Sequence, residues 1–94
     1  MNKSIEINDL YAQQLQCAAQ SLGQLMIWTV YFSPKDFSNW FVARPWIIRP
    51  KTSGPIPMHL MARELGTLRL LLPGGLVRLA RKPEDDPTIL EVWV

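Results

Sequence analysis

Eight prolines, all between residues 34 and 87, cut the last two thirds of the chain into segments too short for long helices. Proline fixes its own φ and donates no backbone hydrogen bond, so it ends or edges the regular element that contains it. Seven of the eight stand among serine, glycine or acidic residues, the company that marks turns. Only Pro45 falls inside a run of apolar residues. Between the breaks lie apolar runs of strand length, joined by connections short enough for hairpins.

Ahead of the first proline, Ile7, Tyr11, Leu15, Ala18 and Leu22 recur at spacings of three and four while glutamines fill the other face. This periodicity predicts a helix over Ser4 to Leu22, stopped by Gly23. Leu25 to Phe32, rich in β-branched and aromatic residues, predicts a strand. A second strand is expected from Trp40 to Arg49, with Phe41, Ala43 and Ile47 on one side and Trp40, Val42, Arg44 and Trp46 on the other. Pro45 would place that strand at an edge or give it a bulge. Pro50 to Pro57 reads as a loop, and Met58, Met61, Leu65, Leu68 and Leu72 trace the stripe of a helix over Met58 to Leu72. After Pro73, Gly74 and Gly75, two strands, Leu76 to Arg81 and Thr88 to Val94, form a hairpin around the turn Lys82 to Pro87. The expected fold is α+β, a single domain with a four-stranded antiparallel sheet and two helices on one face, in the order α-β-β-α-β-β. Residues 1–24 form a helical extension to a small α+β domain over 25–94.

The 94 residues, 48% of them hydrophobic, suffice for one core. The longest apolar stretches fall far short of the roughly 20 residues that cross a bilayer, which argues against a membrane partner. Glu6, Asn8, Asp9 and five glutamines break up the first 24 residues, so no secretory leader is read there and a cytoplasmic location is expected. Cys17 is the only cysteine and cannot close an internal disulfide. It reads as an inert thiol, at least half-buried among alanines. One cysteine and one histidine cannot make a zinc site, and Glu84-Asp85-Asp86 lacks the alternation and glycine of a calcium loop. That run reads instead as a turn in which an aspartate bonds its own backbone. Gly74-Gly75 follows a helix rather than opening one, the wrong polarity for a phosphate cradle. His59, beside the apolar stripe of its expected helix, reads as exposed and idle. No catalytic residue, metal or small-molecule cofactor is therefore expected, and the chain does not read as an enzyme.

The formal charge is only +2, but it is segregated. Ser38 to Lys82 carries eight cations against Glu64 alone, and Pro83 to Val94 carries four acids and no cation. Either the cations form a binding stripe or the acidic last strand pairs with a basic neighbour. With helices over the face bearing Phe41, Ala43, Val77, Leu79, Leu90, Val92 and Val94, alternation would put Trp40, Arg44, Trp46, Arg78, Ile89, Glu91 and Trp93 on the opposite face. Tryptophan and arginine are enriched at interface hot spots, which points to a protein partner or self-association. Aromatic rings that stack on bases, with arginines on phosphate, give the alternative of a nucleic-acid-binding module. The plainer alternative is that these tryptophans pack on one another and that Arg78 and Glu91 pair across strands.

The turn Pro34 to Phe37, the run Phe41 to Arg44, and above all Gly-Leu-Val-Arg-Leu-Ala-Arg (Gly75 to Arg81) leading to Asp-Asp-Pro-Thr-Ile-Leu-Glu-Val-Trp (Asp85 to Trp93) resemble a group of small uncharacterised bacterial and bacteriophage proteins. The resemblance spans about Trp28 to Val94 and leaves the N-terminal helix outside. Here Ala-Arg-Pro-Trp stands where the group has a run like Ala-Arg-Arg-Trp. The resemblance implies a phage or mobile-element context and no particular activity.

Overall fold

A computed structural model describes residues 4–94, so the first three residues of the 1–24 segment lie outside the described residues. The elements in chain order are β1 (Ile5–Glu6), α1 (Asp9–Ser21), β2 (Leu25–Phe32), β3 (Phe41–Ile48), β4 (Gly54–Pro55), β5 (Met58–Ala62), α2 (Leu65–Leu71), β6 (Arg78–Ala80) and β7 (Ile89–Trp93). The strands build one seven-stranded sheet in the order β1-β5-β3-β2-β7-β6, with β4 paired to β3 beside β5. Every pairing is antiparallel except the two-residue contact of β1 with β5. The α+β class and the two helices hold, whereas the expected four-stranded antiparallel sheet gives way to a larger mixed one.

The N-terminal helix starts at Asp9 rather than Ser4. Asn8 has extended backbone and its side chain accepts a hydrogen bond from the Tyr11 amide at 2.8 Å, capping a donor that would otherwise be orphaned. Residues 5 and 6 instead lie parallel beside β5, through the Ile5 amide to Pro57 O at 3.0 Å and the Ile7 amide to His59 O at 2.8 Å. Gly23 ends the helix at φ 68°, with the Gly23 amide on Gln20 O and the Gln24 amide on Ala19 O, the paired bonds of a Schellman turn. Ala12 and Ala19 belong to the same core as the sheet, and Gln16 accepts a 2.9 Å hydrogen bond from the indole of fully buried Trp28. Cys17, expected to be at least half-buried, is exposed because the small residues of α1 that meet the sheet are those one turn to either side of Gln16.

The expected helix over Met58 to Leu72 splits in two. Its first five residues form β5, which pairs with β3 through Phe41 and Ala62, Val42 and Met61, and Ala43 and Leu60. A short run that is apolar at nearly every position satisfies helical and strand periods alike, and the unpaired backbone of β3 decides the matter by supplying hydrogen-bond partners. The apolar spacing survives only in α2, whose Leu68 is fully buried. Two residues of the expected loop Pro50 to Pro57 likewise pair with β3, as β4.

Pro45 sits in a central strand, not at an edge and without a bulge in β3. Its carbonyl accepts from the Ile56 amide at 3.0 Å, so its missing N–H faces the break between β4 and β5. There the Ile56 carbonyl, the acceptor that an amide at position 45 would use, takes the Met58 amide at 2.7 Å instead, so the proline leaves no acceptor unpaired.

Candidate functional site

The register fixes which side chains share a face. Trp28 lies opposite both Pro45 and Trp93, and Val30 opposite both Ala43 and Glu91. Met26, Trp28, Val30, Ala43, Ile47 and Leu60 meet the helices in one apolar cluster, so this is the covered face. Fully burying side chains of this kind contributes about 1.5–3 kcal/mol each.

A bulge in β7 decides the rest. Tyr31 pairs with Ile89, but Val30 pairs with Glu91, leaving Leu90 as an extra residue. One extra residue inverts every side chain beyond it. Glu91 and Trp93 therefore turn toward the helices, and Arg78 follows through its pairing with Trp93. The six aromatic and charged residues expected on one face, Trp40, Arg44, Trp46, Arg78, Glu91 and Trp93, are thus not brought together. Arg44 and Trp46 lie on the open face, Arg78, Glu91 and Trp93 on the covered one, and Trp40 precedes β3 with the Arg63 guanidinium 3.8 Å from its ring centre. Val77, Leu79, Val92 and Val94, expected beneath the helices, are correspondingly on the open side, with Leu79 opposite Val92 and Val92 opposite Thr29.

On the covered face Glu91 is the hub of a polar network. Arg69 of α2 donates to its two carboxylate oxygens at 3.0 and 2.6 Å, the Trp93 indole donates at 2.6 Å, and Arg78 stands 3.8 Å away. The hydrogen bonds from Arg69 hold the Glu91 carboxyl below its ordinary value against the opposing effect of burial, and the same contact raises Arg69. The basic middle and acidic end of the chain meet here as partners inside the fold.

The open face is an apolar sheet surface. One row carries Leu79, Val92, Thr29 and Arg44, and the next carries Val77, Val94, Ile27 and Trp46, with Leu25 and Ile48 beyond. Val77 is 60% exposed, Leu25 51%, Leu79 50%, Trp46 42% and Ile48 38%, so among the described residues nothing covers this quarter of the sheet. Exposed large apolar side chains are ordinary one at a time, but a contiguous sheet of them is a recognised mark of an interaction surface. Of this group only Trp46 was singled out from sequence. The signal that points to the others is the alternation of Leu25, Ile27 and Thr29 against Met26, Trp28 and Val30 within β2.

At one corner of this face the turn after β2 folds back over the sheet. Arg44 pairs with Asp36 at 2.5 Å, and its guanidinium lies 5.6 Å from the Tyr31 ring centre and 5.9 Å from that of Phe37. Tyr31, Lys35, Arg44, Asp86 and Thr88 line an open cavity of about 500 Å³. Burial pushes the Tyr31 phenol above its ordinary value, partly offset by the Arg44 charge, and hydrogen bonds from the Thr88 amide and hydroxyl hold Asp86 below its own. His59, expected exposed on a helix, is buried on β5, packed 4.7 Å from the Phe37 ring and sharing a 2.6 Å hydrogen bond with Ser4 Oγ through Nδ1. Burial first, and then the Arg44 charge, lower its pKa. No carboxylate hydrogen-bonds to this imidazole among the described residues, so the serine–histidine contact pins β1 to β5 and lacks the orienting group of a triad. Among the described residues no cluster of three or more His, Cys, Asp or Glu could hold a metal ion, and no helix is long and apolar enough to cross a membrane.

Comparison of the chain with protein-family models, curated proteins and solved structures finds no match.

Proposed function

We propose that this chain is a non-catalytic accessory protein, of phage or mobile-element origin, that acts by binding a polypeptide through the open face of its sheet. One observation carries the reading: Leu25, Trp46, Ile48, Val77 and Leu79, with Val92 and Val94 between them, form a continuous apolar surface on four paired strands with nothing among the described residues laid over it. Such surface carries a free-energy cost in water of about 25 cal/mol per Å², which a partner's apolar face removes. The origin rests on the resemblance of residues 28–94 alone. Weighing against the nucleic-acid alternative, the candidate arginines are engaged, Arg44 by Asp36 and Arg78 beside Glu91, and two of the aromatic and arginine candidates, Arg78 and Trp93, face the helices.

Crosslinking in bacterial cells that express the protein tests the reading, with the linked peptides mapped by mass spectrometry. Crosslinks from the open face to a polypeptide, lost in Trp46→Asp and Leu79→Asp, are expected. Crosslinks confined to the helices, or unchanged by both substitutions, would overturn it. A titration on single-stranded DNA that showed binding at low salt, falling steeply as salt rises, would shift the assignment to nucleic acid.

A further inference from the structure

We infer that the polypeptide which covers the open face is a second copy of this chain, the two sheets stacking face to face about a two-fold axis. The inference rests on the reading of the open face as a protein-binding surface and names its occupant.

Charge comes first. The polar residues of the two rows are Thr29 and Arg44, and Arg44, at the end of its row, is already neutralised by Asp36. A partner that brought charges to this surface would bury them unpaired, which is costly, so the occupant must itself offer an uncharged apolar face. Shape comes second. The surface is a sheet, not a groove, and a sheet face is matched by another sheet face about 10 Å away with its strands nearly aligned. The chain's own open face meets both conditions. Area comes third. Five side chains exposed by 38 to 60%, with the less exposed Ile27, Val92 and Val94 among them, amount to roughly 500 Å² per copy, and two copies reach about 1,000 Å², the area at which a specific interface begins.

The distribution of size places the axis. The largest side chain, Trp46, stands at the β3 border of the patch, and the smaller Val77 and Leu79 stand at the β6 border. An axis parallel to the strands between β2 and β7 lays each β3 over the other copy's β6. Each Trp46 then fills the space above Val77 and Leu79 of the other copy, the large-on-small packing that dense interfaces require. An axis across the strands would crowd tryptophan against tryptophan.

Sedimentation equilibrium of the full chain between about 1 and 200 μM tests the pairing. The wild type is expected to sediment as a dimer, with Leu79→Asp weakening association by about 100-fold or more, because it would bury an unpaired carboxylate beneath the other copy's Trp46. Leu70→Asp, on α2 and 84% exposed, is expected to leave it unchanged. Val77→Asp serves as the second variant should Leu79→Asp fail to give a folded circular-dichroism spectrum. Geometry has its own readout in a Cys17→Ser background: oxidation of a mixture of Trp46→Cys and Val77→Cys chains should give the mixed disulfide in preference to either homodisulfide. A wild type that stays monomeric at 200 μM, or a dimer indifferent to Leu79→Asp and Val77→Asp, overturns the inference. A monomer whose cellular crosslinks still map to the open face would leave the binding reading standing with a different partner.

Discussion

Glu91 is a carboxylate 4% exposed on the helix side of a sheet, and it survives there because each of its two oxygens, stripped of water by burial, finds a donor. Truncating the network on one side should therefore cost more than the pair is worth. Glu91→Gln keeps the volume and removes the charge, so it is expected to lower the unfolding free energy by about 2 kcal/mol, a figure reduced from that of a fully buried pair because Arg69 keeps part of its hydration. Urea denaturation measures this, and a variant as stable as the wild type would show the network to be incidental. The pairing of acidic end with basic middle was legible from the charge segregation. Its inward direction was not, because the bulge at Leu90 that turns Glu91 over depends on how β7 meets β2.

At the scale of elements, strands with clear composition emerge where expected, and β2 matches the reading from Leu25 to Phe32 residue for residue. Ambiguity concentrates where a run is short. Met58 to Ala62 carries apolar residues for either period, and the choice falls to β3, whose backbone needs a partner on that side. The start of α1 was misplaced for a related reason: Ile5 and Ile7 fit a helix or an extended edge, and the cap at Asn8 separates the two. Asn8→Ala is expected to cost about 1 kcal/mol in chemical unfolding with the far-UV spectrum of the folded state retained. Were the helix to begin at Ser4, Asn8 would be an interior residue and its replacement by alanine would stabilise.

For the molecule as a whole, His59 and Glu91, two of the groups whose folded pKa is lowered, act in the same direction. The folded-state pKa of His59 lies below its ordinary 6.5, so unfolding takes up a proton on acidification, and the stability this group contributes is complete above pH 6.5 and lost as pH falls below it. Glu91, also lowered from an ordinary 4.5, contributes stability that is present above that value and lost as pH falls through its depressed folded value. Stability is therefore expected to be level near pH 7 to 8 and to decline in two successive windows on acidification. In His59→Gln the upper decline should vanish while the lower remains; an unaltered upper decline would assign it elsewhere. Stability measured against pH must be taken at fixed protein concentration, because a dimer adds a concentration-dependent term.

By itself the sequence determined the class of fold, the length and place of the strongest strands, the closing hairpin and the stop at Gly23, since these depend on residues near one another along the chain. Tertiary structure alone decided the conversion of Met58 to Ala62 into a strand, the central place of Pro45, and above all which face each tryptophan and arginine joined. Alternation gives a strand two sides but does not say which is in. That choice is made by register against a neighbour, where a single extra residue at Leu90 moved Glu91 and Trp93 under the helices and left Val77, Leu79 and Val92 in the open.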